Sequence, residues 1–172
     1  MILTMVFRSR LKKPDGGVIL ACRAVMRTGA AVMLGKDSIM GLSAYALVLM
    51  ADGTEKRAEN MEAGDMVADP VTGGSRRVRK IWQGPGVGMF RITAANGATL
   101  DLTEDHPVLC GGSASPVGNV AVGAPLGSRD GAVACTGAER LMGDFMVYDI
   151  VMEDGGDQAL LLANGIVAGT GG

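Results

Sequence analysis

The sequence predicts an all-β domain, and three observations lead to that prediction. Short apolar runs recur along the chain at intervals of about 8–12 residues, which is the spacing of strands in all-β folds. Glycine accounts for 27 of the 172 residues, so many positions can adopt the positive φ that tight turns need. Three Asn-Gly or Asp-Gly pairs separate apolar runs and favour the two-residue turns of β-hairpins; they are Asp52-Gly53, Asn96-Gly97 and Asn164-Gly165.

The strands are predicted within residues 41–170, between turn-forming sequences. Residues 77–82 alternate charged and apolar side chains, as a half-buried strand does. Residues 83–88 are predicted to form a glycine-rich loop, which is not a phosphate-binding loop because no Lys-Ser or Lys-Thr pair follows and no helix is predicted after it. The predicted strands are 47–50, 66–68, 77–82, 90–93, 99–102, 120–122, 146–152, 159–163 and 166–167.

Composition argues against several kinds of partner. The formal net charge of −2 gives no basis for binding nucleic acid or an anionic membrane. The aromatic content of 3% predicts a core of Val, Leu, Ile, Met and Ala. Cys22, Cys110 and Cys135 are widely spaced and form no Cys-x-x-Cys motif, and a single histidine cannot complete a usual zinc site. We therefore expect no disulfide framework, metal or cofactor, and a reducing compartment, the cytoplasm.

Residues 1–40 are predicted to be an N-terminal extension of the domain. Their basic start resembles that of a signal peptide, but the turn-forming sequence at 14–17 interrupts the apolar run that a signal peptide needs. Residues 18–34 are apolar, yet Arg23 and Arg27 would each cost about 2.5–3.5 kcal/mol at the centre of a bilayer. A short helix or strand packed on the domain, or a partly ordered leader, is the expectation, and no membrane is expected as a partner.

The only histidine of the chain, His106, lies in the sequence Thr103-Glu104-Asp105-His106-Pro107. This sequence follows an alternating, strand-like run and precedes a short apolar one. Taken alone, such a histidine is more often a turn or rim residue than a catalyst. A catalytic role requires support from the rest of the chain.

Five short pieces of sequence occur in a characteristic order along residues 41–170. They are Val48-Leu49-Met50-Ala51-Asp52-Gly53-Thr54, Ala63-Gly64-Asp65-Met66-Val67, Thr103-x-x-His106-Pro107, Val147-Tyr148-Asp149-Ile150 and Ala163-Asn164-Gly165-Ile166-Val167. In this order they resemble the Hint module, which inteins, bacterial intein-like domains and hedgehog autoprocessing domains share. The closest resemblance is to bacterial intein-like domains.

The resemblance implies a horseshoe of short antiparallel strands and hairpins that acts on its own polypeptide backbone. In that family, a Cys or Ser at the first residue attacks the preceding carbonyl, and a Thr and a His polarise the amide that is cut. The resemblance assigns these roles to Thr103 and His106, and assigns support of proton transfers to Asp149. An imidazole suits this chemistry because a peptide nitrogen leaves poorly unless it is protonated. Without the resemblance, Asp149 would be interpreted as a turn or edge carboxylate.

Both terminal positions depart from the family pattern. The first residue aligns with Gly41, which has no nucleophile, and the His-Asn pair that ends splicing members aligns with Gly169 and Thr170. We therefore predict a self-processing domain of the Hint family that is inactive in cleavage and splicing. The alternative is a non-catalytic β-domain that serves as a binding or structural module.

Three other residues are candidate nucleophiles. Ser43 lies two residues after Gly41 and would need a changed register to attack the Met40-Gly41 bond. Cys110 follows His106 by four residues, about 13 Å along a strand, which is too far for a direct hydrogen bond. A Cys-dependent hydrolase acting through Cys110 or Cys135 is the third, weaker hypothesis.

Overall fold

The structure is a computed structural model that describes residues 8–12, 18–22, 39–153 and 159–170. The chain divides into two compact units, Met1–Asp37 and Ser38–Gly172. In the first unit, β1 (Arg8–Lys12) and β2 (Val18–Cys22) form an antiparallel pair. The predicted apolar stretch 18–34 therefore begins as a strand, and its remainder lies outside the described residues. No helix in the described part of the chain is long and apolar enough to cross a membrane.

The second unit is an antiparallel sheet of short strands, which confirms the predicted all-β fold. Its strands follow the spatial order β5-β4-β15-β16-β10-β12-β13-β8-β9-β3-β14-β7-β6, with β11 paired to β10. Their bounds are β3 (Leu42–Ser43), β4 (Leu47–Leu49), β5 (Glu55–Arg57), β6 (Met66–Ala68), β7 (Ser75–Gly86), β8 (Met89–Ala94), β9 (Thr99–Thr103), β10 (Pro107–Cys110), β11 (Ser113–Pro116), β12 (Pro125–Ser128), β13 (Gly131–Arg140), β14 (Phe145–Met152), β15 (Leu160–Ala163) and β16 (Ile166–Gly169). Two short 3-10 turns cover Ala58–Asn60 and Val117–Asn119.

The three predicted hairpin turns join β4 to β5, β8 to β9 and β15 to β16. Gly53 and Gly97 have φ of 84° and 87°, in the left-handed region that favours glycine. Asn164 and Gly165 both have positive φ, 49° and 78°, as a two-residue type I′ turn requires. A hairpin is therefore confirmed at each of the three positions, but only Asn164-Gly165 forms the two-residue turn, because the loops at Asp52-Gly53 and Asn96-Gly97 are longer.

The predicted loop at 83–88 is wrong, because β7 continues as a strand to Gly86 and pairs with β14. Two of its glycines allow neighbouring side chains to pack directly against the strand backbone. A Cβ on Gly84 would lie 2.5 Å from Ile39 Cδ1, and one on Gly86 would lie 2.5 Å from Val147 Cγ1. A glycine-rich sequence can therefore form a strand where side chains from neighbouring elements fill the space that a Cβ would take.

The segment between 111 and 140 also departs from prediction. The predicted strand 120–122 is wrong: these residues follow a 3-10 turn, and the strands of this segment are β11, β12 and β13. A β-bulge between Cys135 and Gly137 shifts the register of β13 against β8, and this shift breaks the alternation of apolar residues that marks a strand in sequence.

Aliphatic side chains and methionines fill the core of the second unit, as the low aromatic content predicts. Val48, Leu100, Leu126 and Leu161 are all fully buried. Strand β3 pairs with both β9 and β14, and β16 pairs with β10. The first and last strands of the unit therefore lie beside the two strands that flank His106.

Candidate functional site

The candidate site is built around the 103–107 segment, which connects β9 to β10. Thr103 ends β9 and Pro107 begins β10. The His106 N–H donates to the Thr103 carbonyl at 2.9 Å and closes the turn. The Glu104 N–H donates to the Gly88 carbonyl at 2.7 Å, and the Glu104 carboxylate pairs with Arg140. These contacts fix the segment between β8 and β13.

Thr103 holds the peptide nitrogen that joins Met40 to Gly41. The Gly41 N–H donates to Thr103 Oγ1 at 3.1 Å, and the Thr103 N–H donates to the Gly41 carbonyl at 3.0 Å. Thr103 is fully buried. The Thr103 hydroxyl therefore lies within hydrogen-bond distance of the peptide nitrogen that follows Met40.

His106 contacts the other end of the domain. Its Nε2 lies 2.9 Å from the Gly169 carbonyl oxygen, and its side chain is buried. A carbonyl can only accept a hydrogen bond, so Nε2 carries the proton and Nδ1 presents its lone pair. Nδ1 has no hydrogen-bond partner within the described ranges. His106 therefore makes no hydrogen bond to Gly41, because Nε2 is engaged elsewhere.

Burial also sets the charge of His106. Loss of solvation lowers the pKa of the imidazole to about 4, although the hydrogen bond to Gly169 and the nearby carboxylate of Asp105 both act to raise it. The ring is thus neutral at pH 7.

Asp149 lies in β14, an interior strand with β3 on one side and β7 on the other. Its side chain is buried, with 7% exposed, and its register partner on β7 is Trp82. Because side chains alternate along a strand, the Asp149 side chain points to the face opposite that of Tyr148, which packs against the core. The interpretation of Asp149 as a turn or edge carboxylate is therefore wrong.

Neither of the two glycines in the family's reactive positions has free space for a side chain. A Cβ built on Gly41 would lie 3.0 Å from the backbone of Tyr148, a distance that real structures barely tolerate. A Cβ on Gly169 would lie 2.5 Å from Pro107 Cγ, which requires one of the two to move. A side chain at either position therefore requires neighbouring atoms to shift.

Thr170 is also buried, with 3% exposed. Its N–H donates to the Ala159 carbonyl at 2.9 Å, but its hydroxyl has no hydrogen-bond partner. The sequence assigned Thr170 only as a degenerate position. No signal in the glycine-rich end of the chain indicated that its hydroxyl would be enclosed.

The remaining candidate nucleophiles lie outside this arrangement. Cys135 is buried in the core and its Sγ contacts the Gly137 carbonyl at 3.3 Å. Cys110 ends β10, opposite Leu126 and three residues beyond Pro107 in an extended strand. Ser43, on β3, pairs with Val147 of β14. Among the described residues, no group of three His, Cys, Asp or Glu side chains could hold a metal ion.

This geometry belongs to the Hint, or intein-like, fold, and comparison with solved structures identifies it. The bacterial intein-like domain from Clostridium thermocellum superimposes with a TM-score of 0.67 at 20% identity, over 77% of this chain and 100% of that one. The gp41-1 intein gives 0.63 at 19% identity, over 78% and 100%. The DnaB intein from Synechocystis sp. PCC 6803 gives 0.64 at 14% identity, over 77% and 99%. No family model matches the chain, and no curated protein matches its sequence.

Proposed function

We propose that the chain is an intein-like self-processing domain that has lost the family's two terminal reactions and keeps the part of the site that holds the amide. The observation that supports this most directly is the hydrogen bond from the Gly41 N–H to Thr103 Oγ1, at 3.1 Å in a buried position. A purely structural role for Thr103 would not require its hydroxyl to lie on the peptide bond before position 41, where the family's first reaction takes place.

The cleavage chemistry lacks two of its requirements. Gly41 has no nucleophile to attack the Met40 carbonyl. The leaving nitrogen needs a proton, and a neutral imidazole with its Nε2–H bound to Gly169 is a poor proton donor. At the other end, Thr170 has no side-chain amide to cyclise.

The substrate that we propose for the ancestral activity is the domain's own backbone, with no nucleic acid, membrane or small-molecule cofactor as a partner. The net charge of −2 supports the first two exclusions. We propose the cytoplasm as the location, because Cys110 and Cys135 are free thiols.

The alternative is a β-domain used for binding or structure. The observation that favours it is the close packing at Gly41 and Gly169, where neighbouring atoms occupy the space that reactive side chains would need.

A cysteine at position 41 tests the proposal. We expect Gly41→Cys, incubated with dithiothreitol, to release residues 1–40 slowly from residues 41–172, because Thr103 still holds the amide and the thiol supplies the missing nucleophile. The measurement is intact mass over several days at neutral pH. An added thiol is needed because a thioester is less stable than an amide and does not accumulate.

Two controls make the result specific. Gly41→Ala adds the same Cβ without a thiol, so it reports whether the contact with the Tyr148 backbone is tolerated and should give no fragment. Adding Thr103→Val to Gly41→Cys should abolish cleavage, since it removes the hydroxyl that hydrogen-bonds the Gly41 N–H. If Gly41→Ala folds normally and a folded Gly41→Cys gives no fragment, the non-catalytic module is favoured.

A further inference from the structure

Two buried side-chain atoms of the described chain have no hydrogen-bond partner, and both belong to residues next to Gly169, the last residue of β16. They are His106 Nδ1 and Thr170 Oγ1. A buried hydroxyl without a partner is costly, on the order of a hydrogen bond or more, so an enclosed one calls for an explanation. Thr170 occupies the position where splicing members carry the residue that cyclises.

The peptide bond before Thr170 is held on both sides. Its carbonyl oxygen, on Gly169, accepts the His106 Nε2–H at 2.9 Å. Its N–H donates to the Ala159 carbonyl at 2.9 Å. The carbonyl is therefore polarised by a buried donor in the way that an oxyanion hole polarises a substrate.

We propose that the Thr170 hydroxyl attacks the Gly169 carbonyl carbon and converts this amide reversibly into an ester. The Oγ1–C bond forms while the carbonyl oxygen takes up negative charge, which the His106 Nε2–H stabilises. The C–N bond then breaks, the nitrogen becomes the free α-amine of Thr170, and the hydroxyl proton balances the proton that the nitrogen gains. The step is an isomerisation, so no oxidant, reductant or cofactor takes part.

The ester is less stable than the amide, so the unmodified chain remains intact unless a nucleophile removes the ester. Hydroxylamine does so by attacking the Gly169 carbonyl. The products are residues 1–169 ending in a hydroxamate and residues 170–172 with the threonine hydroxyl restored. This reaction concerns a different bond from Met40-Gly41, so it does not depend on the proposed function. The two experiments are distinguishable because one fragment ends at Gly169 and the other at Met40.

The experiment is incubation of the full chain with neutral hydroxylamine, followed by intact mass. We expect the hydroxamate of residues 1–169 from the wild type and from Thr170→Ser, which keeps a hydroxyl. Thr170→Val, which has the same shape without one, should give none. His106→Ala should slow the product by about 10²–10³-fold, the usual effect of one oxyanion donor, and His106→Gln, which keeps an N–H, should recover part of the rate.

Hydroxylamine can also cut Asn-Gly bonds, but cleavage after Asn96 or Asn164 gives different masses. Absence of the 1–169 hydroxamate from the wild type, or equal amounts from Thr170→Val, would overturn the proposal. If Thr170→Val does not fold by circular dichroism, Thr170→Cys decides the matter. Its thiol should raise the yield above that of the wild type, and a folded Thr170→Cys without product also overturns the proposal.

Discussion

His106 is neutral in the folded domain because burial destabilises its charged form more than Gly169 and Asp105 stabilise it. The pKa is lowered to about 4, while a free imidazole titrates near 6.5. Between these values the unfolded chain binds a proton that the folded chain does not. The contribution of His106 to the free energy of unfolding is therefore fully present above pH 6.5 and is lost as the pH falls from 6.5 towards 4.

The residue-scale prediction is that this loss amounts to about 3 kcal/mol in the free energy of unfolding by pH 4. Urea unfolding at pH 7, 5.5 and 4.5 measures it. His106→Gln is the matched variant, because it keeps an N–H for the Gly169 carbonyl and does not titrate. The wild type should lose more stability than His106→Gln over this range.

Titration of carboxylates does not affect the comparison of the wild type with His106→Gln. Asp69, for example, is buried, which raises its pKa, but hydrogen bonds from Val71, Thr72 and Arg76 outweigh this and lower the pKa overall. Its contribution is lost only at still lower pH and is common to both proteins. Parallel pH curves for the two would show that His106 is not the titrating group.

At the scale of elements, the end of β16 lies against the start of β10. Val108 pairs with Ala168, and Pro107 occupies the space beside Gly169. Here a glycine is needed for the close approach of two strands and not for an unusual φ. The same contact brings the Gly169 carbonyl to His106.

Gly169→Ala should therefore lower the free energy of unfolding by about 1–3 kcal/mol, since a Cβ would lie 2.5 Å from Pro107 Cγ. Gly137→Ala is the control, because its Cβ would meet only Thr93, at an ordinary 3.6 Å. Denaturant unfolding of both variants measures the difference. Equal changes in the free energy of unfolding for the two variants would mean that Pro107 moves aside without destabilising the fold.

At the scale of the molecule, the sheet brings both ends of the second unit to one segment. Gly41 hydrogen-bonds Thr103 and Gly169 hydrogen-bonds His106, although the two glycines are far apart in sequence. The two contacts therefore place Gly41 and Gly169 at the two ends of the 103–107 segment.

The wild-type chain should accordingly remain at its full 17.6 kDa after a day at neutral pH, with or without dithiothreitol. Gly41 offers no nucleophile, and the ester proposed at Thr170 reverts to the amide when no strong nucleophile is present. Intact mass checks the result. A fragment ending at Met40 would contradict it and would point to Ser43, which lies on β3 two residues after Gly41.

Much of the fold could be predicted from sequence because its signals are local. The turns at Asn96-Gly97 and Asn164-Gly165 depend on the φ that those residues themselves adopt. The strand ending at Gly86 could not be predicted in this way. Its glycines are explained by Ile39 and Val147, which are distant in sequence and adjacent only in the fold.

The site divides in the same manner. The sequence by itself determined which side chains are available: Thr103 and His106 are present, and the nucleophile at 41 and the amide at 170 are absent. Only the tertiary structure decided what those side chains contact. Hydrogen-bond partners and burial come from strands that pair across long stretches of chain, so the assignment of Thr103 to Gly41, of His106 to Gly169 and of a buried hydroxyl to Thr170 had to await the packed sheet.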